Sequence, residues 1–431
     1  MIPIQRLADL DPLARRTLLT RPGVVTTDLL TAVRTIVEDV RDHGDSALRA
    51  YSEKFDQVKL DTAEVRPEEM AAAKAALTPA QIAAIEEAHA NITKFHRLQK
   101  TGDYETEVGS GVRMGRRMVP FRRAGIYVPG GLAVYPTCVL MNAIPAREAG
   151  VSEIILCTPP GPDGSVHPAV RYSALLSGVQ RLFRIGGAQA IAAMAYGTAT
   201  VPRCEIIVGP GNRFVTAAKK IVAADVAIDF LAGPTELLVL SDGSGRAAYI
   251  AADLISQAEH DPSTCLTLVT TNRAQAEAVD KELDVQMPRR ERRDIVKTAL
   301  TRHGALLVAD SLDQAVEFTN DYGPEHLSIF TADPASVFRR IRHAGAVFLG
   351  ETTPVASGDY GSGPNSTLPT LGEARRAGGL GISNFQKALT WLQLSPEGVG
   401  KLAPMQSELA RLEGLEGHAA AIEIRREPHG A

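Results

Sequence analysis

The chain is poor in cysteine and carries no surplus of positive charge, and each shortage narrows what it can be. Only Cys138, Cys157, Cys204 and Cys265 occur in 431 residues, and none belongs to a Cys-x-x-Cys pair. That usage fits a reducing cytosol rather than a disulfide framework. Each thiol reads as a small buried apolar residue more readily than as a nucleophile. The net charge is −4, so there is no basic surplus for a phosphate backbone, and no nucleic-acid partner is expected. No apolar run reaches membrane-spanning length. The opening Met-Ile-Pro-Ile-Gln-Arg has no apolar signal-peptide core, and a cytoplasmic protein with no membrane partner is expected. Also missing are a Walker A sequence, a Gly-x-Gly-x-x-Gly after any strand, and internal or low-complexity repeats.

What is present is ordinary for a globular chain, with 45% apolar and 22% charged residues. The length suffices for two or three domains. The opening 22 residues read as a short arm. Thr27 to Phe55 and Thr78 to Lys100 read as amphipathic helices, the second started by a Thr78 cap with Pro79 at the first helical position. From Phe121 the pattern alternates. Strands at 123–128, 153–157, 181–185 and 205–208 are separated by helices at 139–149, 169–178 and 189–196. A second series follows, with strands at 236–240, 265–270, 305–309, 326–330 and 346–349. Its helices lie at 246–260, 273–282, 289–299, 311–320 and 335–341. Strict strand–helix alternation with short connections predicts parallel, doubly wound sheets. Helices are also expected at 403–413 and 418–426.

Several segments carry chemistry. Gln257 and His260 project from one face of a helix end, about a turn apart. His is a common zinc ligand and Gln an unusual one, while a His in a last turn also serves the helix dipole. Three glycine turns end strands: Val128-Pro129-Gly130-Gly131, Gly186-Gly187-Ala188-Gln189 and Gly209-Pro210-Gly211-Asn212. Such turns either let backbone N–H groups approach a phosphate-bearing ligand or simply turn the chain tightly. Glu325-His326 opens a strand after a Gly-Pro turn, pairing a carboxylate able to activate water with an imidazole able to move a proton. A surface Glu-His pair is the plainer reading. Asp359 sits in a glycine-rich loop, where it is a turn former or a metal ligand. Glu413 and His418 lie near the end of the chain and, alone, read as a solvated helix end.

Taken together and in order, seven segments resemble the histidinol dehydrogenases. They are Phe121 to Gly131, Gly186 to Ala190, Val208 to Asn212, Ala232 to Glu236, Gln257 to His260, Pro324 to Leu327, and Gly358 to Tyr360. The resemblance runs from about residue 23 to 426. It implies an α/β fold of two incomplete Rossmann-like, doubly wound domains with small N-terminal and C-terminal helical segments. The implied organisation is an arm at 1–22, a first domain at 23–126 plus 237–379 carrying zinc and acid–base residues, a second domain at 127–236 contacting NAD, and a dimerisation tail at 380–431.

The resemblance also implies roles, position by position. Gln257, His260, Asp359 and His418 match zinc ligands, with His418 supplied across a homodimer. Glu325 and His326 match the acid–base pair, and Tyr127, Gln189 and Asn212 match contacts to NAD. Thr235, Gln257, His260, His326, Asp359, Glu413 and His418 match substrate contacts. The implied reaction takes a small amino alcohol, L-histidinol, through the aldehyde to L-histidine with two NAD and one zinc per subunit. Two positions depart from the family pattern. Thr235 stands where Ser is usual and keeps the hydroxyl, and Ser366 follows Asn365 where His is usual. The second change leaves open a relative that oxidises another small alcohol, such as sulfopropanediol. A silent nucleotide-binding relative is the more remote alternative. His43, His89, His96, His167, His303, His343 and His429 carry no motif and read as structural or exposed.

Overall fold

A computed structural model describes residues 2–21, 25–59, 62–130 and 134–426. In chain order its strands are β1 (Ile4–Arg6), β2 (Tyr104–Gly109), β3 (Val112–Pro120), β4 (Arg123–Tyr127), β5 (Glu153–Thr158), β6 (Arg181–Arg184) and β7 (Ile206–Val208). They continue as β8 (Ala227–Ile228), β9 (Glu236–Ser241), β10 (Cys265–Thr270), β11 (Gly304–Val308), β12 (His326–Phe330), β13 (Ala346–Leu349) and β14 (Gln386–Leu394).

Two parallel sheets form, as the alternation predicts. One has the order β6-β5-β4-β7-β8 and the other β1-β11-β10-β9-β12-β13. The central strands are largely apolar at successive positions because both faces are covered. Along β5, Ile155 and Cys157 face one core and Ile154 and Leu156 the other. Helices Thr27–His43, Gly187–Tyr196 and Arg213–Val222 cover the first face, through residues such as Val33, Ile191 and Val215. Helices Pro136–Ala149 and Pro168–Leu176 cover the second. In the other sheet, Leu237 and Val239 of β9 pack under Ala247–Ala258, Arg273–Gln286 and Arg293–His303. Leu238 and Leu240 pack under Leu312–Tyr322. Strand β4 lies whole in the five-stranded sheet, across the 126/127 division expected from sequence.

Two expectations are corrected. The stretch from Thr27 to Phe55 is not one helix. It breaks at Gly44, whose φ of 53° departs from helix while its N–H still bonds Val40 O, and a new helix begins at Asp45. The antiparallel sheet β14-β3-β2 has no counterpart in the sequence reading. All of β2 and most of β14 are exposed, so neither shows the apolar alternation that marks a strand. The Thr78 start is as expected. Thr78 Oγ1 accepts from Gln81 N, and Gln81 Oε1 accepts from Thr78 N.

The chain forms two compact units. One holds both parallel sheets, and the other joins Lys100–Pro120 to the chain from Gln386 onward. The second unit contains the antiparallel sheet and helices Pro396–Leu412 and Glu416–Glu423. Among the described residues, no helix is long and apolar enough to cross a membrane.

Candidate active site

In the six-stranded sheet the strand order reverses between β9 and β12, which pair directly. Glu236 opens β9 and His326 opens β12, so this site lies at the amino ends of the strands. The usual ligand crevice of an open parallel sheet is at the carboxyl ends. Glu325 and His326 are both buried. The main chain of Glu236 grips both: its N–H donates to Glu325 Oε2 (2.8 Å), and its carbonyl lies 3.0 Å from His326 Nδ1. A carbonyl only accepts, so Nδ1 carries the proton, and in the neutral ring Nε2 is the base.

Burial disfavours the imidazolium of His326. The Glu325 carboxylate 3.4 Å away, with Asp359 and the Glu236 carbonyl, outweighs burial and raises the ring to about 9. Phe348 stacks beside it at 6.1 Å between centroids.

Gln257 ends its helix fully buried, and its Nε2 donates to Asp359 Oδ2 at 3.4 Å. Its Oε1 is buried with no hydrogen-bond partner, an arrangement that is costly unless a ligand accepts the lone pairs. His260, one turn on, is open at the helix end. Desolvation holds its ring below the usual histidine range; Asp359 opposes this and His326 adds to it. Among the described residues no group of three His, Cys, Asp or Glu side chains gathers as a metal site. Gln257, His260 and Asp359 nonetheless present an orphaned amide oxygen, an imidazole whose charged form is disfavoured and a carboxylate, a donor set that suits zinc.

The positions expected to contact NAD lie on the five-stranded sheet, at its carboxyl ends. Tyr127 ends β4, Gln189 lies in the first turn of the helix after β6, and Asn212 caps the helix after β7. The strand order of this sheet reverses between β4 and β7. Buried Tyr127 accepts from Gly187 N through its hydroxyl (3.0 Å), and buried Gln189 has an unpartnered Nε2. Asn212 Oδ1 accepts from Phe214 N and Val215 N. Gly209 has φ 111°, and a Cβ there would lie 2.1 Å from Tyr127 O, so only glycine fits. The turn at residues 131–133 is outside the described residues.

Sequence reasoning missed the buried groups that brace these turns. Lys219 and Asp229 form an interior ion pair at the Gly209 turn. Arg21, read as part of an arm, is buried against Glu236. Neither has a local sequence signal. A looser dinucleotide-like pattern, Gly243-Ser244-Gly245-Arg246-Ala247-Ala248, follows β9. There Glu351 accepts from Arg246 N (3.2 Å) and pairs with its guanidinium, so a carboxylate of the chain itself occupies the place a phosphate would take.

The remaining positions are placed as follows. Thr235 is half-buried just before β9. Ser366 is half-buried beside Asn365, which donates to Met141 O and to His96 Nε2. His96 is fully buried and serves as this anchor. Glu413 and His418 are exposed residues of the second unit, at the end of Pro396–Leu412 and in Glu416–Glu423. Cys157, Cys204 and Cys265 are buried, and burial pushes each thiol up, so none is a ready thiolate.

Comparison with known proteins identifies the family and the overall fold. A family model described as histidinol dehydrogenase matches residues 19–426. A histidinol dehydrogenase of Methanosarcina barkeri is 44% identical over 99% of this chain and 98% of its own. One of Geobacter sulfurreducens is 45% identical over 90% and 91%. The crystal structure of histidinol dehydrogenase from Elizabethkingia anophelis is similar at a TM-score of 0.93 and 37% identity, covering 98% of this chain and 97% of that one.

Proposed function

The chain belongs to the histidinol dehydrogenase family, and we propose that it oxidises L-histidinol through the aldehyde to L-histidine, reducing two NAD. The observation that carries this reading is the Glu325–His326 pair, buried at the mouth of β12 and gripped by the main chain of Glu236.

Gln257, His260 and Asp359 would hold zinc, with His418 supplied across a homodimer. Tyr127, Gln189 and Asn212 would contact NAD. Thr235 and Glu413 would contact the substrate. When bound, zinc supplies an anchor for substrate nitrogens and a positive charge opposing protonation of His326, and NAD supplies the hydride acceptor.

The residues of the chain handle the protons. His326 Nε2 takes the hydroxyl proton as the carbinol C–H bond breaks, its Nδ1–H fixed on the Glu236 carbonyl. Glu325 then takes a proton from water as the oxygen adds to the aldehyde carbon. His326 returns its first proton to the former carbonyl oxygen as the hydrate forms, and so can accept the hydrate hydroxyl proton at the second oxidation. Burial of both groups keeps bulk water from competing.

Purified zinc-loaded protein given L-histidinol and NAD tests the reading. Two NADH per histidinol, lost on chelation, are expected. Ser366 is the specific observation behind a second reading, so sulfopropanediol is assayed in parallel. Turnover of the sulfonate without turnover of histidinol would assign the chain to that substrate.

A further inference from the structure

Arg21 connects the two strand mouths that carry the chemistry. Its side chain is buried, and all five guanidinium hydrogens have acceptors. Nε and Nη2 donate to Glu236 Oε1 and Oε2 at 3.0 and 2.8 Å. Nη1 donates to the carbonyls of Leu19 (3.0 Å) and Tyr322 (2.8 Å), and Nη2 also reaches Gly323 O (3.4 Å). The guanidinium lies 3.9 Å from the centre of the Tyr322 ring. One cation therefore holds Glu236 at the start of β9 and the Tyr322-Gly323 turn that leads into Glu325.

The backbone around this pair is held in an unusual state. Arg21 has φ 49°, and Leu371, whose N–H donates to Glu236 Oε1 (2.6 Å), has φ 55°. Left-handed backbone is rare for such residues and persists where surrounding contacts impose it. Of the three described non-glycine residues with positive φ, Gln57 lies elsewhere in the chain, while Arg21 and Leu371 both touch the same carboxylate, whose own main chain grips Glu325 and His326.

We propose that Arg21, acting through Glu236, is a positioning residue for the acid–base pair. It sets the Glu236 carbonyl against His326 Nδ1, which fixes the ring tautomer and aims Nε2. The proposal rests on Glu325 and His326 being the reacting pair. Its closest rival is a purely structural ion pair, which would move stability alone.

The test compares Arg21→Met, Arg21→Lys and Glu236→Gln with the unaltered zinc-loaded enzyme, well below each melting temperature. Arg21→Met is expected to lower kcat by about 100-fold, the scale of a misplaced catalytic group. KM for histidinol, NADH affinity and zinc stoichiometry should stay within about threefold, a change too small to matter on the same free-energy scale. Arg21→Lys should recover little, because an ammonium has no planar fork. Should Arg21→Met fail to fold, Glu236→Gln keeps a neutral acceptor and is expected to show a smaller kcat loss with the same unchanged KM. A folded variant with lowered melting temperature and full kcat would overturn the proposal. A readout independent of turnover is the hydrogen-bonded Nδ1–H resonance of His326 in histidine-labelled protein, assigned with His326→Ala. Its loss in Arg21→Met supports positioning even where the unaltered enzyme ignores histidinol, which would instead defeat the functional reading. Its retention there counts against the proposal.

Discussion

Lys219 and Asp229 pair in the interior and between them hold both main-chain polar groups of Gly209. Lys219 Nζ donates to Gly209 O (3.0 Å), and Gly209 N donates to Asp229 Oδ2 (2.8 Å). Both side chains are almost wholly buried. The pair thus fixes the turn between β7 and Asn212. Lys219→Met strands a buried carboxylate and should cost roughly 3–5 kcal/mol. NADH affinity should fall with it, because the turn loses its anchor. Fluorescence titration of NADH checks this; a destabilised variant with unchanged affinity would separate the pair from the cofactor.

Asp253 stands behind the proposed zinc ligands. It lies one turn before Gln257, buried, and its Oδ1 accepts from Val355 N (3.3 Å), the residue that opens the short Ala356–Asp359 helix. Burial pushes its carboxyl up to about 6, against the Val355 N–H. Asp253→Ala should weaken zinc binding by about 10–100-fold, the usual effect of losing a ligand's support. Asp253→Asn keeps an acceptor oxygen and should lose far less. Competition with a chromophoric chelator measures both, and equal affinities would refute the brace.

His326 is expected to make stability fall with pH in the metal-free protein. Its folded value, about 9, lies above the ordinary 6.5. The stabilisation is therefore complete below pH 6.5 and lost as pH rises towards 9. Melting temperature should decline over that window, and the decline should shrink in His326→Gln. Parallel curves would show that the imidazolium contributes nothing. His326→Ala should also cut turnover by at least about 100-fold, the lower range for a general base, with zinc retained.

His418 tests whether the site is shared between subunits. It is exposed in the second unit, so a purely surface role predicts no effect on metal. His418→Ala is expected to lower zinc content after dialysis. Mixing it with His260→Ala should restore some activity if one subunit completes the site of the other. Unchanged zinc content would remove His418 from the ligand set.

Much of the fold was legible because its signals are local. Apolar runs bounded by glycine turns mark β4 to β7 and β9 to β13, and the Thr78-Pro79 start is written in adjacent residues. The antiparallel strands were not legible, since exposed strands leave no apolar alternation.

The candidate site divides in the same way. Gln257 with His260, and Glu325 with His326, are readable as spacings within one turn or one dipeptide. The strand ends are legible too, since Glu325-His326 opens a strand and the turns before Gln189 and Asn212 end strands. Strand pairing was decided only by tertiary structure, which set β12 beside β9 so that the Glu236 main chain meets Glu325 and His326. It also chose the braces. Arg21 and Glu236 are 215 residues apart, and no periodicity links them. Chain pattern sets which segments become strands and helices, because those depend on neighbours a few residues away. The partners of a buried charge are set only when the sheets assemble, because desolvation then makes an unpaired guanidinium or carboxylate too costly to leave.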